Sequence, residues 1–499
     1  MAIGRSRSLF LGAGLLCGAL LAPAPARAFC GFFVSGADAA ISNNASQVAL
    51  LRKGNRTVMT MSNNYKGPPQ DFAMVVPVPV VLQKEQVKTL NPDVFRHIDQ
   101  LSAPRLVEYW EQDPCEVERE YSKEKGMDAK SAGVRKRCKA AETDDDFGVK
   151  VEAKFEVGEY QILILSAKES GGLEGWLRHN RYNIPQGAAA ALAPYIRDQM
   201  KFFVAKVDIK KVKRDEHQAV VLSPLRFHFD AQELRLPVLL GLLNASGKQD
   251  LIVYVLHPEK RFEVANYPNL FIPTNIEVVD KVRTYFGAFY AELFDETLRK
   301  NGNKGVVTEY AWQSSGCDPC PTPPLMPEDL QVLGEDVLNA APPAPPTRQG
   351  RRGKGFGGGY FGASSGYVLT RLHTRYDQAT LSEDLIFREA KPLTGGRANW
   401  SGGLGDHGAQ VNEGGVNNFQ GRYIIRHYWQ GKVACAQPRY GIWGGPPNGG
   451  NFAPTAAQDL ANVQRGKVAL RDVVQSPLPA LGLTGKRRAL RPGEKAEQP

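Results

Sequence analysis

The stretch Val149-Lys150-Val151-Glu152-Ala153-Lys154-Phe155-Glu156-Val157 puts an apolar residue at every second position with a charge between each pair. Side chains of a strand alternate between two faces, so this run reads as a half-buried β-strand, and Gly158-Glu159 turns it into a second, Tyr160 to Ala167. Outward from this pair, Gln47 to Lys53 and Arg56 to Met61 flank Gly54-Asn55, a two-residue turn that accepts positive φ, and form a hairpin. Further strands are expected at Phe202–Lys211, Leu225–Asp230, Leu234–Leu240, Leu251–His257, Tyr367–Tyr376, Asp384–Arg388 and Gly421–Trp429.

Helices interrupt these strands without a regular rhythm. Asn91-Pro92 offers a cap and a first-turn proline, and Val94, Phe95, Ile98 and Leu101 then make an apolar stripe. Ser102 to Glu111 reads as a second short helix, and others are expected near Gly172–His179 and Ala188–Gln199. Along Asp280–Lys300, Val282, Tyr285, Phe286, Phe289, Tyr290, Leu293 and Leu298 keep the helical period. The order lacks the alternation of a doubly wound sheet, so the expected class is α+β, a mainly antiparallel sheet with several packed helices. Asp71 to Val81 carries Pro77 and Pro79, which remove two backbone donors from one side; this predicts an edge strand.

At 499 residues, 42% hydrophobic and 23% charged, the chain is long enough for one large core or two smaller ones. The net charge of +10 comes without a block of basic residues interleaved with aromatics, which argues against nucleic acid as a partner. Arg5 and Arg7 precede the uncharged run Leu9–Leu21, and Ala26-Arg27-Ala28 places small residues where a signal peptidase reads. Residues 1–28 are therefore expected to be a signal peptide cleaved before Phe29, its apolar run being too short to span a bilayer. No later stretch is long and apolar enough, so no transmembrane segment is expected in the mature chain.

Export predicts disulfides among the remaining Cys30, Cys115, Cys138, Cys317, Cys320 and Cys435. Six cysteines allow many pairings; the expected set is Cys115–Cys138 across a charged insertion, Cys317–Cys320 locally, and Cys30–Cys435 tying the ends. The organisation expected is a main α+β domain over 29–335, a Pro/Gly-rich linker over 336–366, a β-rich segment over 367–445 packing on the main domain, and a disordered basic tail over 446–499.

Several segments together carry a likeness: Cys30-Gly31, Asn63-Asn64-Tyr65-Lys66-Gly67-Pro68-Pro69 leading into Phe72–Val81, Pro104 to Trp110, Cys317-Asp318-Pro319-Cys320, and Leu369-Thr370-Arg371-Leu372. In their order and spacing the chain resembles the bacterial exported domain-of-unknown-function family numbered 2330, from about Phe29 to Gly445. The resemblance implies an exported bacterial protein and brings no activity, cofactor or catalytic residue with it.

Motifs that carry chemistry are few. Cys317-Asp318-Pro319-Cys320 has the spacing of a thiol redox pair, but Pro321, Pro323 and Pro324 deny it the helix whose dipole activates such a cysteine, which favours a structural disulfide. Zinc there lacks a second ligand pair, and no cofactor is implied. Gly353, Gly355 and Gly358 match a dinucleotide fingerprint without its strand and helix, so a flexible linker is the better reading. Asp144-Asp145-Asp146 lacks the alternating ligands of a calcium loop.

Two candidate binding surfaces remain. Arg371, His373 and Arg375 share one face of a strand, and with Arg422 and His427 they would form a cationic patch for an acidic partner; alternation alone also produces a solvated basic face. Asn63, Asn64 and Tyr65 precede a Gly-Pro-Pro break that serves equally as a rigid turn. The functional expectation is a non-enzymatic binding or structural protein of the cell envelope, its partner an acidic envelope component or another envelope protein. The alternative is an envelope hydrolase or thiol-disulfide enzyme whose site is assembled from distant residues.

Overall fold

The computed structural model describes residues 32–35, 45–63, 72–115, 148–214, 220–244, 247–338, 366–396, 399–401, 404–406, 411–447, 449, 453–457, 460 and 463–485. The signal-peptide and Cys30-Gly31 readings, Asn64, Tyr65, Cys138, the acidic triplet and the glycine motif all lie outside them. Val149–Val157 is a strand and pairs antiparallel with Tyr160–Ala167, as its alternation predicts. It forms the rim of a five-stranded antiparallel sheet that continues through Lys201–Val207 and Phe72–Val78 to Phe32–Ser35.

A larger sheet of eleven strands has Val368–Tyr376 in its middle, between Gln249–His257 and Val306–Gln313. The hairpin Ala45–Lys53 and Arg56–Asn63 and the strand Leu225–Asp230 extend it on one side. Most ladders in both sheets are antiparallel, though Gln249–His257 runs parallel to Ala45–Lys53. The inner faces of the two sheets enclose one core, with Val48, Leu50, Met59, Met74, Val76, Ile162, Phe203, Phe227, Val253 and Leu372 among its members.

Both outer faces are covered as well. Ser170–His179 and Ala188–Arg197 bury Leu173, Trp176, Leu177, Leu192 and Tyr195 against the small sheet. Against the large sheet lie two helices: Asp93–Ser102, through Val94, Phe95, Ile98 and Leu101, and Phe286–Lys300, through Phe289, Tyr290, Leu293 and Phe294. The molecule is thus α+β, two sheets between layers of helix.

Four expectations need correction. Arg105–Glu111 is a strand, not a helix; it pairs parallel with Arg422–His427 in a third sheet, a tertiary pairing that outweighs local propensity. Phe72–Val78 is buried throughout and flanked on both sides, although its pairing with Phe32–Ser35 stops at Val75, short of Pro77. The disulfides are Cys115–Cys435 and Cys317–Cys320, so the Cys115–Cys138 and Cys30–Cys435 pairings are wrong. Cys115 follows the Arg105–Glu111 strand, and chain just beyond the neighbouring Arg422–His427 strand brings Cys435 to it. Finally, the expected tail contributes Ala457, Leu460, Val473, Val474, Leu478 and Leu481 to the core under helix Phe286–Lys300, and residues 486–499 lie outside the description. Among the described residues no helix is long and apolar enough to cross a membrane.

Candidate functional site

Alternation does place Arg371, His373 and Arg375 on one face of Val368–Tyr376, but a layer of helices covers that face. Arg371 is 0% and His373 1% exposed, so the expected open cationic patch is corrected to a buried ion network. Opposite Arg371 the neighbouring strand slips register between Thr308 and Tyr310, a bulge that leaves Glu309 as its extra residue. Glu309 accepts from Arg371 Nε at 2.6 Å, pairs with His373 Nδ1 at 2.7 Å, and takes a short hydrogen bond from the Tyr290 hydroxyl. Arg371 Nη1 also donates to Asp99 Oδ1 at 2.6 Å, an oxygen shared with the Tyr254 hydroxyl at 2.7 Å. The Phe294 ring stacks on His373 with centroids 4.0 Å apart.

The charges in this network set one another's protonation. Burial alone would raise the Glu309 pKa, but the positive His373 and Arg371 and the hydrogen bonds to Glu309 override it and hold the carboxyl at about 2. Burial likewise opposes a charged His373, yet Glu309 and Asp250 raise its pKa above the ordinary 6.5. Asp250, buried beside His373, Arg465 and Arg375, is held below the usual carboxylate range despite its desolvation.

The network leads outward. His373 Nε2 lies 3.2 Å from Asp250 Oδ1, which accepts from Arg465 at 3.1 Å; Arg465 donates to Asp295 at 2.6 Å, and Arg375 reaches the same carboxylate at 3.0 Å. Arg375 and Asp295 then line a surface cleft of about 540 Å³ between helix Phe286–Lys300 and the C-terminal segment. Arg299 in this cleft is paired with Glu296. Lys248 and Arg471, both exposed and both lining it, have no ion-pair partner among the described residues. The cleft lining therefore carries four cations, Lys248, Arg299, Arg375 and Arg471, against three carboxylates, Glu292, Asp295 and Glu296, a small positive excess.

Other predicted residues fall elsewhere. Arg422 is buried, with Nε on Asn275 Oδ1 at 2.9 Å and Nη1 on the Tyr109 hydroxyl at 3.3 Å; its burial lowers its pKa. His427 lies apart from the network, its Nε2 2.6 Å from Glu108 Oε2 and its ring stacked on Trp110. Asn63 ends its strand opposite Ser46, while the structure says nothing of Asn64 and Tyr65. In the Cys317–Cys320 loop no helix begins at either cysteine, the next being Pro327–Leu330.

Sequence reading missed Glu309, Asp250, Asp99 and the cleft. One signal was available: Asp99 stands four residues after Phe95 and beside Ile98, inside the apolar stripe, where a carboxylate needs a buried partner.

Fold and site together define a disulfide-tied α+β protein in which a buried ion network runs out to a basic-edged cleft. Its family follows from comparison with known families: residues 24–388 match DUF2330, described as an uncharacterized protein conserved in bacteria, and the chain belongs to that family. The match ends at Arg388, short of the expected Gly445. No curated protein and no solved structure matches the chain.

Proposed function

We propose that this is an exported, non-enzymatic binding protein of the bacterial envelope, and that its cleft takes an acidic group of an envelope component. The observation that carries the reading is that Lys248 and Arg471, without an ion-pair partner among the described residues, stand with Arg375 in one cavity whose lining keeps a small positive excess over Glu292, Asp295 and Glu296. Guanidinium and ammonium groups that have no internal carboxylate are free to make charge-assisted hydrogen bonds to a ligand carboxylate or phosphate. The leader-like N-terminus and the two disulfides support an oxidising, extracytoplasmic setting. A non-catalytic role is favoured because the buried histidine spends both ring nitrogens on internal carboxylates and the Cys317–Cys320 pair lacks an activating helix.

The test is equilibrium binding of a fluorescent oligo-glutamate, read by polarisation at rising salt. Binding should weaken with ionic strength, and Lys248→Ala with Arg471→Ala should cost about 1.5–3 kcal/mol per cation engaged. Binding that ignores both salt and the double substitution contradicts the reading, and turnover of the probe contradicts its non-enzymatic part.

A further inference from the structure

A second cluster of charged side chains surrounds His427. We propose that Glu108, Asp280 and His427 form a binding site for one divalent transition cation of the zinc type, and that the Arg283 guanidinium competes for it. Three potential ligand atoms, one from each residue, lie within 4.8 Å of one another. They also converge on a single positive atom: Arg283 Nη2 is 2.6 Å from Glu108 Oε2, 2.6 Å from Asp280 Oδ1 and 3.4 Å from His427 Nε2. That nitrogen marks the point to which the three groups together attract a cation.

Two of the three ligand atoms already stand together, and the third, on the exposed Asp280, closes on them from within 4.8 Å. Around tetrahedral zinc, bonds of about 2.0–2.2 Å place ligand atoms roughly 3.3–3.6 Å apart. Glu108 Oε2 and His427 Nε2, now 2.6 Å apart, need only open by part of an ångström side-chain rotation. Their backbones are fixed, because Glu108 and His427 stand on the paired parallel strands Arg105–Glu111 and Arg422–His427. Trp110, stacked at 4.6 Å, holds the imidazole plane. Asp280 opens the short 3₁₀ turn Asp280–Tyr285, which also carries Arg283.

Charge and exposure point the same way. Two carboxylates and a neutral imidazole carry two negative charges, which a divalent ion balances and one guanidinium does not. The Glu108 side chain is 2% exposed, a buried anchor, whereas those of Arg283 and Asp280 are 46% and 67% exposed. Arg283 can therefore turn into solvent and yield its place without disturbing the core. One nitrogen and two oxygen donors suit zinc better than calcium or magnesium, which prefer all-oxygen sets. Three protein ligands leave a coordination position for water or an outside donor.

The full chain with its disulfides intact is titrated with Zn²⁺ against a chromophoric chelator. One equivalent should bind; Asp280→Asn should weaken it by about tenfold or more, and Arg283→Met, which removes the competitor, should tighten it. Asp280 is on the surface, so D280N keeps the fold, which a thermal melt verifies. No zinc uptake, or equal affinity in the wild type, D280N and R283M, would overturn the proposal.

Discussion

Glu309 is fully buried, and every group that reaches it is a donor: Arg371, His373 and Tyr290. Removing one partner of a buried ion pair leaves the other uncompensated, so Glu309→Gln should cost about 3–5 kcal/mol in urea unfolding, with no change expected from a surface exchange such as Lys260→Gln. The pH dependence has two limbs. The folded-state pKa of His373 is raised, so its contribution is complete below the ordinary 6.5 and is lost as pH climbs through the raised value. Glu309 is depressed, so its contribution is complete above 4.5 and is lost as pH falls toward about 2. His373→Gln should flatten the alkaline limb of a plot of urea midpoint against pH; an unchanged limb would remove His373 from the network. At this scale the sequence was least legible. Arg371 and His373 could be placed on one strand face from their spacing, but the carboxylates that claim them come from the Val306–Gln313 and Gln249–His257 strands and a helix, and spacing along one segment says nothing of its neighbours.

Elements were read better, and their failures share a cause. Val149–Val157 shows its period because one of its faces is largely open, while Phe72–Val78 is buried on both and shows none. The placing of Arg371, His373 and Arg375 on one face of Val368–Tyr376 suggested a wet face; a strand in the centre of a covered sheet instead turns that face toward helices, and its polar residues become ion pairs. Arg105–Glu111 misled because its pairing partner lies more than three hundred residues away. The Cys115–Cys435 bond stands beside that pairing and closes a loop with a sequence separation of 320. Removing so long a constraint frees much unfolded-state entropy, so Cys435→Ser should lower stability by up to about 5 kcal/mol. A non-reducing digest should yield the Cys115–Cys435 peptide pair; a Cys115–Cys138 pair in its place would contradict the structure.

For the molecule as a whole, the layered fold decides where charge can meet solvent. If export holds, the N-terminal residue of the protein from its native envelope is Phe29, and Met1 retained there would end that proposal. Burial closes Arg371 and His373 to an acidic partner, and the same strand meets solvent at Arg375, where the ion network opens into the cleft. Its location could not be read beforehand, since Lys248, Arg375 and Arg471 come together through helix Phe286–Lys300 and a C-terminal segment that composition alone marked as a tail. The most direct measurement is zero-length carbodiimide coupling of a bound oligo-glutamate to the protein, followed by mapping of the new amide bonds by mass spectrometry. A carboxylate seated in the cleft should couple chiefly to Lys248, and salt should suppress the product. Coupling spread over other surface lysines with Lys248 unmodified would contradict the proposed site.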